Sequence, residues 1–260
     1  MAAISFRADL RGGILVPWTP TAVQYGRLVV EGSYWGLLLI SVALAAGVAI
    51  IATVLAYPLA HFLTFRAGSR AGLLLILLLV PFWTSYLLRV MAWKFMLGSE
   101  GLINSFLGYM GLISEPITAL LYNRNAVAIT LVYVWIPFAA LPIMAALQRV
   151  DPPLFEAAAD LGATPLSQLR RVALPLAMPG ILAAFFMVFI PTVGEYVTPL
   201  LVGGSSGSLY GNIIQTFFTQ GTNYPFGSAL SMVMLVTTIA LVAIGLRAVR
   251  PERLVELPGG

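Results

Sequence analysis

Residues 33–62 read SYWGLLLISVALAAGVAIIATVLAYPLAHF, a run without one Asp, Glu, Lys or Arg. At about 1.5 Å of rise per residue, a helix of this length outreaches a hydrocarbon core roughly 30 Å thick. An unpaired backbone N–H or C=O in that core costs several kcal/mol, so a crossing segment of this kind must be helical. Four further runs repeat the pattern, from Ala71 to Leu97, Ala126 to Leu147, Leu174 to Val197 and Phe226 to Leu246. The predicted fold is all-α, a polytopic membrane helix bundle with five spans. Composition agrees, because 60% of residues are hydrophobic and 9% charged, against about 25% charged in a soluble domain. So few charges cannot cover a water-facing surface.

The charges that remain are placed unevenly. Arg66 and Arg70 follow the first run, Arg149, Arg170 and Arg171 the third, and Arg247, Arg250 and Arg253 the fifth. The loops at 98–125 and 198–225 hold Arg124 as their one base, with Glu100 and Glu115. Short arginine-rich loops stay in the cytoplasm, so 63–70, 148–173 and the tail 249–260 are predicted inside a bacterial inner membrane. The net charge of +4 is thus a topology signal, and no nucleic-acid partner is predicted. Cysteine is absent and His61 is the single histidine, which removes disulfide frameworks and Cys/His metal sites. His61, beside Pro58 and Phe62, reads as an interfacial residue, since no acid lies near it in sequence.

Five spans that end inside put residues 1–32 outside as an extracytoplasmic segment, although they carry Arg7, Arg11 and Arg27. Pro17 and Pro20 interrupt Ile14 to Val30 and make it a poor crossing. No signal-peptide pattern is present, and a further helix is therefore expected ahead of residue 33. The competing assignment makes Leu102 to Leu121 a sixth span, against the polarity of Asn104, Ser105, Ser114, Glu115 and Pro116.

Between the third and fourth runs, residues 150–180 read VDPPLFEAAADLGATPLSQLRRVALPLAMPG. Asp151 is placed to cap a helix that Pro152 begins, where a missing N–H costs nothing. Leu154, Ala158 and Leu161 share a face, and Gly162 supplies the stop. Thr164 and Pro165 repeat the cap-plus-proline start, giving a second short helix toward Arg171. Ala157, Ala158 and Ala159 would let a partner's backbone come close.

This stretch resembles the EAA loop of the permeases of ABC importers. Glu156, Ala157 and Ala158, then Gly162 after three residues, and Val172, Leu174 and Pro175 after nine more meet that pattern; Asp160 lies inside it. The resemblance implies a type I transmembrane domain over 33–248 and a coupling helix docked on an ATP-hydrolysing subunit. It also implies the partners: a second, related permease chain, two ABC ATPase subunits and a periplasmic solute-binding protein, with membrane lipid around the bundle. The chain has no G-x-x-x-x-G-K-[ST] loop and its one lysine, Lys94, precedes Phe95, so ATP and Mg belong to the partner ATPase subunits. No cofactor, metal or catalytic residue is predicted in this chain.

Residues 80–97 (VPFWTSYLLRVMAWKFML), 100–107 (EGLINSFL), 191–204 (PTVGEYVTPLLVGG) and 224–229 (YPFGSA) are similar to the spermidine/putrescine-type permeases. That family has six spans, and the first has no counterpart here. Glu195, just after Pro191 and beside Tyr196, is an acid near membrane depth, where an ionisable residue marks a functional site. A carboxylate pairs with an amine, and the faces of Trp83, Tyr86, Trp93 and Trp135 attract organic cations. Arg89 and Lys94 oppose a cationic cargo unless they snorkel to the interface. Ferric iron, sulfate, phosphonate and other amines remain rival cargoes. A self-contained ion-coupled carrier or channel and a non-transporting assembly factor remain rival classes, and neither uses the hairpin.

Overall fold

The computed structural model describes residues 1–8, 20–117, 120, 122–220 and 223–249. Arg11, Pro17, Arg250, Arg253 and the tail beyond Val249 lie outside them. Every regular element among the described residues is helical. In chain order they are α1 (Ala2–Ser5), α2 (Val23–Val30), α3 (Ser33–Phe65), α4 (Ala71–Leu79), α5 (Tyr86–Leu97), α6 (Leu102–Tyr109), α7 (Arg124–Leu147), α8 (Pro152–Asp160) and α9 (Pro165–Gln168). A π turn over Leu169–Ala173 leads into α10 (Leu174–Val193), followed by α11 (Val197–Val202), α12 (Tyr210–Thr219) and α13 (Tyr224–Val249).

Four stretches are long and apolar enough to cross a membrane: Ser33–Phe65, Arg124–Leu147, Pro165–Val193 and Tyr224–Arg247. The predicted second span departs from expectation. Instead of one helix over 71–97, the chain passes from α4 through a 3-10 turn at Val80–Trp83 and breaks at Thr84, whose backbone is extended at ψ 154°. Pro81 has no N–H to continue an α-helix, and the Thr84 hydroxyl donates to the Pro81 carbonyl at 2.6 Å. The apolar count outweighed these breaker residues in the sequence. The fourth span also differs: α9, the π turn and α10 form one continuous run. The Leu174 N–H reaches back to the Leu169 carbonyl, five residues away, just ahead of Pro175, which cannot donate.

Residues 102–121 do not form a spanning helix among the described residues. α6 ends at Tyr109, and Gly111 turns the chain at φ +69°. Asn104, 4% exposed, explains the compact loop: its amide donates to the Gly98 carbonyl and its Oδ1 accepts from the Ile117 N–H, each at 3.0 Å.

The described residues fall into two compact units, those within 1–46, 87–131 and 190–243 in one, and those within 47–86, 132–189 and 244–249 in the other. The first has a core of Leu28, Leu38, Tyr210, Phe226, Ala229 and Leu230. Tyr210 donates its N–H to the Ser41 hydroxyl at 2.8 Å. Burial pushes its phenol well above its ordinary pKa, with the nearby Tyr34 adding to the shift. Arg27 lies 5.0 Å from the Phe226 ring centroid and donates to Glu31 at 3.0 Å, a bond that holds the Glu31 carboxyl below its usual range. In the second unit α3 buries Ala49, Ala52, Ala56 and Ala60 together with Val48, Thr53 and Leu63, whereas Ile50, Ile51, Val54 and Leu55 are exposed. A row of buried alanines beside exposed isoleucines fits close helix packing with lipid outside. The same unit lets α7 and α10 approach until a Cβ at Gly180 would overlap the Pro142 carbonyl.

Candidate functional site

The helical hairpin at residues 150–173 is built by local rules. Asp151 has the extended backbone of a cap (φ −66°, ψ 129°), but its side chain makes no capping hydrogen bond, contrary to expectation. Pro152 and Pro153 start α8 instead by fixing φ where N–H groups go unused. At the far end the Gly162 N–H donates to Ala159 at 2.8 Å and the Ala163 N–H to Ala158 at 2.9 Å, with Gly162 at φ +80°. This pair of bonds is the Schellman stop, and it requires a left-handed residue. Thr164 then caps α9 by accepting from the Ser167 N–H at 3.3 Å. Gln168 closes the turn by donating to the Ala163 carbonyl at 3.3 Å.

The hairpin presents a bare surface. Glu156, Ala157, Ala159, Asp160 and Gly162 are exposed and Ala158 is half-buried. Leu161 is 89% exposed. A cleft of about 450 Å³ opens between the two arms, lined by Ala158, Leu161 and Gly162 on one side and Ser167 and Arg171 on the other. On its opposite side α8 is held by Phe155, whose ring meets Phe65 of α3 edge-on at 5.2 Å. Leu174 is half-buried and Pro175 exposed at the root of α10. Such a piece, stopped at its ends and gripped by an aromatic contact, can transmit displacement. It carries no constellation for bond chemistry.

The residues predicted for a solute path fall in both units. In the first, α10 stops at Val193 and Glu195, half-buried, accepts at one oxygen from the Val197 N–H at 2.8 Å and the Thr198 N–H at 3.0 Å. Glu195 therefore starts α11, a role the sequence signals only by an acid ahead of Thr198-Pro199. The Tyr196 carbonyl accepts from the Asn212 amide at 2.9 Å, while its ring is 43% exposed. Trp93 is half-buried on α5, as are Arg89 and Lys94. In the second unit Trp83 is 84% exposed and Tyr86 half-buried. Trp135 packs 5.7 Å from Phe138, which meets Phe82 at 4.7 Å. The Trp135 indole N–H is buried without a hydrogen-bond partner among the described residues. No group of acids and histidines that could hold a metal occurs among the described residues.

Comparison with known proteins fits this architecture. The chain matches the family described as binding-protein-dependent transport system inner membrane component over residues 19–253. It is 37% identical over 230 residues to the spermidine/putrescine transport system permease protein PotB of Escherichia coli (strain K12), covering 88% of this chain and 83% of that one. The Haemophilus influenzae protein of the same name is 38% identical over 208 residues, 80% of this chain and 72% of that one. Among solved structures, a bacterial alginate ABC transporter in complex with its periplasmic protein shares the fold, with a TM-score of 0.70 at 15% identity over 88% of this chain and 83% of that one. The chain belongs to the binding-protein-dependent transport system inner membrane components, and it is a multi-pass permease subunit of an ATP-driven importer rather than an enzyme.

Proposed function

We propose that this permease carries polyamines, spermidine or putrescine, across a bacterial cytoplasmic membrane, and that residues 150–173 are where ATP hydrolysis in separate subunits acts on it. The observation that carries the coupling role is the hairpin itself. Its helix ends are stopped by the Gly162 and Thr164 bonds, and its Glu156–Gly162 surface is bare, with Leu161 projecting. Apolar and small side chains left uncovered at an arginine-bearing end suit docking into a protein groove. The cargo assignment rests on the identity to the PotB proteins across most of the chain. The partners are a related permease chain, two ATPase subunits that bind ATP and Mg, and a periplasmic solute-binding protein. Transport is alternating access, with the helices exchanging outward- and inward-open packings.

The test is reconstitution with those partners. Glu156→Lys and Gly162→Asp are expected to abolish ATP-driven uptake while the complex still assembles. Gly162 is at φ +80°, where a Cβ costs about 1–2 kcal/mol, and Glu156→Lys reverses a charge on the docking surface. Transport at the wild-type rate in both variants would end the coupling assignment. For the cargo, Glu195→Gln keeps an oxygen for the Val197 and Thr198 N–H groups and removes only the charge. Polyamine uptake is expected to fall about fivefold, the worth of a partly exposed ion pair of ~1 kcal/mol. Unaltered uptake would take Glu195 out of the path.

A further inference from the structure

Several hydroxyl groups on the spans are satisfied within their own helix. Ser41, Thr64, Thr130 and Thr238 each donate to the carbonyl four residues earlier, at 2.8–2.9 Å. Thr53, 6% exposed and likewise within a span, does not; its Oγ1 is buried with no hydrogen-bond partner among the described residues. One turn on, the Tyr57 hydroxyl is in the same condition. An unsatisfied buried hydroxyl costs about 1–3 kcal/mol, so two in succession on one helix call for a ligand.

Both side chains line space. Thr53, Val54 and Tyr57 of α3 face Leu174 and Ile181 of α10 across a cavity of about 200 Å³. Tyr57 also lines a second cavity of about 670 Å³, with His61, Phe65, Phe155 and Glu156. Thr53, Tyr57, His61 and Phe65 recur every fourth residue, the spacing that keeps helix side chains adjacent. Ring centroids step from Tyr57 to His61 at 6.2 Å, to Phe65 at 5.0 Å and to Phe155 at 5.2 Å. At 1.5 Å of rise per residue the strip covers roughly 18 Å, from about mid-depth to the arginine-bearing end of α3. Its polar groups are two hydroxyls, able to accept as well as donate, in the tighter part, and the Glu156 carboxylate, the His61 ring and the Gln168 amide in the wider. Arg66 also lines the wider cavity and is exposed, in water that screens its charge.

We propose that this strip of α3 is the inner stage of the solute route, where the Thr53 and Tyr57 hydroxyls accept hydrogen bonds from primary ammonium groups and the aromatic faces hold the cation. The assignment rests on the polyamine function proposed above. Ammonium groups are pure donors and need such acceptors once desolvated, and ring faces attract organic cations. An anionic cargo would find no cation in the tighter cavity, whose other lining residues, Val54, Leu174 and Ile181, are apolar.

The test uses the complete transporter in proteoliposomes, with Thr53→Val and Tyr57→Phe combined, which removes both hydroxyls and keeps the shapes. Putrescine uptake is expected to fall about thirtyfold, the loss of two hydrogen bonds near 1 kcal/mol each, while stimulation of ATP hydrolysis by the loaded binding protein persists. A second readout uses the absence of cysteine. A Thr53→Cys chain is expected to react with aminoethyl methanethiosulfonate, and putrescine is expected to slow that reaction. Wild-type uptake in the double variant, or loss of uptake together with assembly and ATP hydrolysis, would overturn the strip's role while leaving the polyamine function standing. Absence of polyamine uptake by the wild-type complex would instead overturn that function, and the strip's role with it.

Discussion

The Ser41 hydroxyl makes two bonds at once, donating to the Leu37 carbonyl at 2.9 Å and accepting the Tyr210 N–H at 2.8 Å. Both Ser41 and Tyr210 are fully buried, so nothing else can replace the acceptor. Ser41→Ala is expected to destabilise the first unit by about 1–3 kcal/mol, the cost of one orphaned buried N–H. Thermal unfolding of the detergent-purified chain reads this, and an unchanged midpoint would show that the N–H finds another partner. Glu195 teaches a related lesson. Its Oε1 is engaged by two backbone N–H groups at the start of α11, so replacement by Ala removes a cap as well as a charge, whereas replacement by Gln separates the two. The Ser41 role is invisible in the sequence because it depends on an element far along the chain, and the Glu195 role is signalled only by its place ahead of Thr198-Pro199, on a helix too short to show a period.

At the scale of elements, proline and glycine mark where chemistry and sequence agree. Gly162 and the Thr164–Pro165 pair were legible because the stop and the start are written in adjacent residues, and the bonds they imply are made. Asp151 was misleading: its residue type suits a cap, but the two prolines after it set the backbone without help. The run from Ala71 to Leu97 is apolar enough for one helix, yet Pro81 and Thr84 break it; hydropathy measures solvent preference and is blind to a missing N–H. The π turn ahead of Pro175 was not legible for a similar reason, since register is chosen by the whole run. Helix contact gives a further test. Gly180→Val would drive a side chain into the Pro142 carbonyl, and overpacking of this kind costs about 1–3 kcal/mol. A lowered unfolding temperature is expected, and stability equal to wild type would mean that α7 and α10 have room to part.

On α3, Ala49, Ala52, Ala56 and Ala60 are buried while Ile50, Ile51 and Leu55 lie outside. The predominance of long apolar runs made the membrane bundle legible from composition, while the choice of contact face was set by side-chain size. By the positive-inside rule the arginines are expected to orient that bundle with 63–70 and 148–173 toward the cytoplasm. An impermeant thiol reagent is accordingly expected to label Ala3→Cys from outside sealed cells, since this residue is exposed; protection there would contradict the orientation. The coupling proposed for the hairpin is mechanical: it would receive the stroke of an ATP-driven partner and pass it to α10. Its most direct test is a single cysteine at the exposed Ala159, crosslinked within the reconstituted transporter before and after ATP is added. A bond to the ATPase subunit whose yield changes with nucleotide is the expected result. Labelling of that cysteine from outside the cell, or no crosslink to the ATPase in any nucleotide state, would contradict the account.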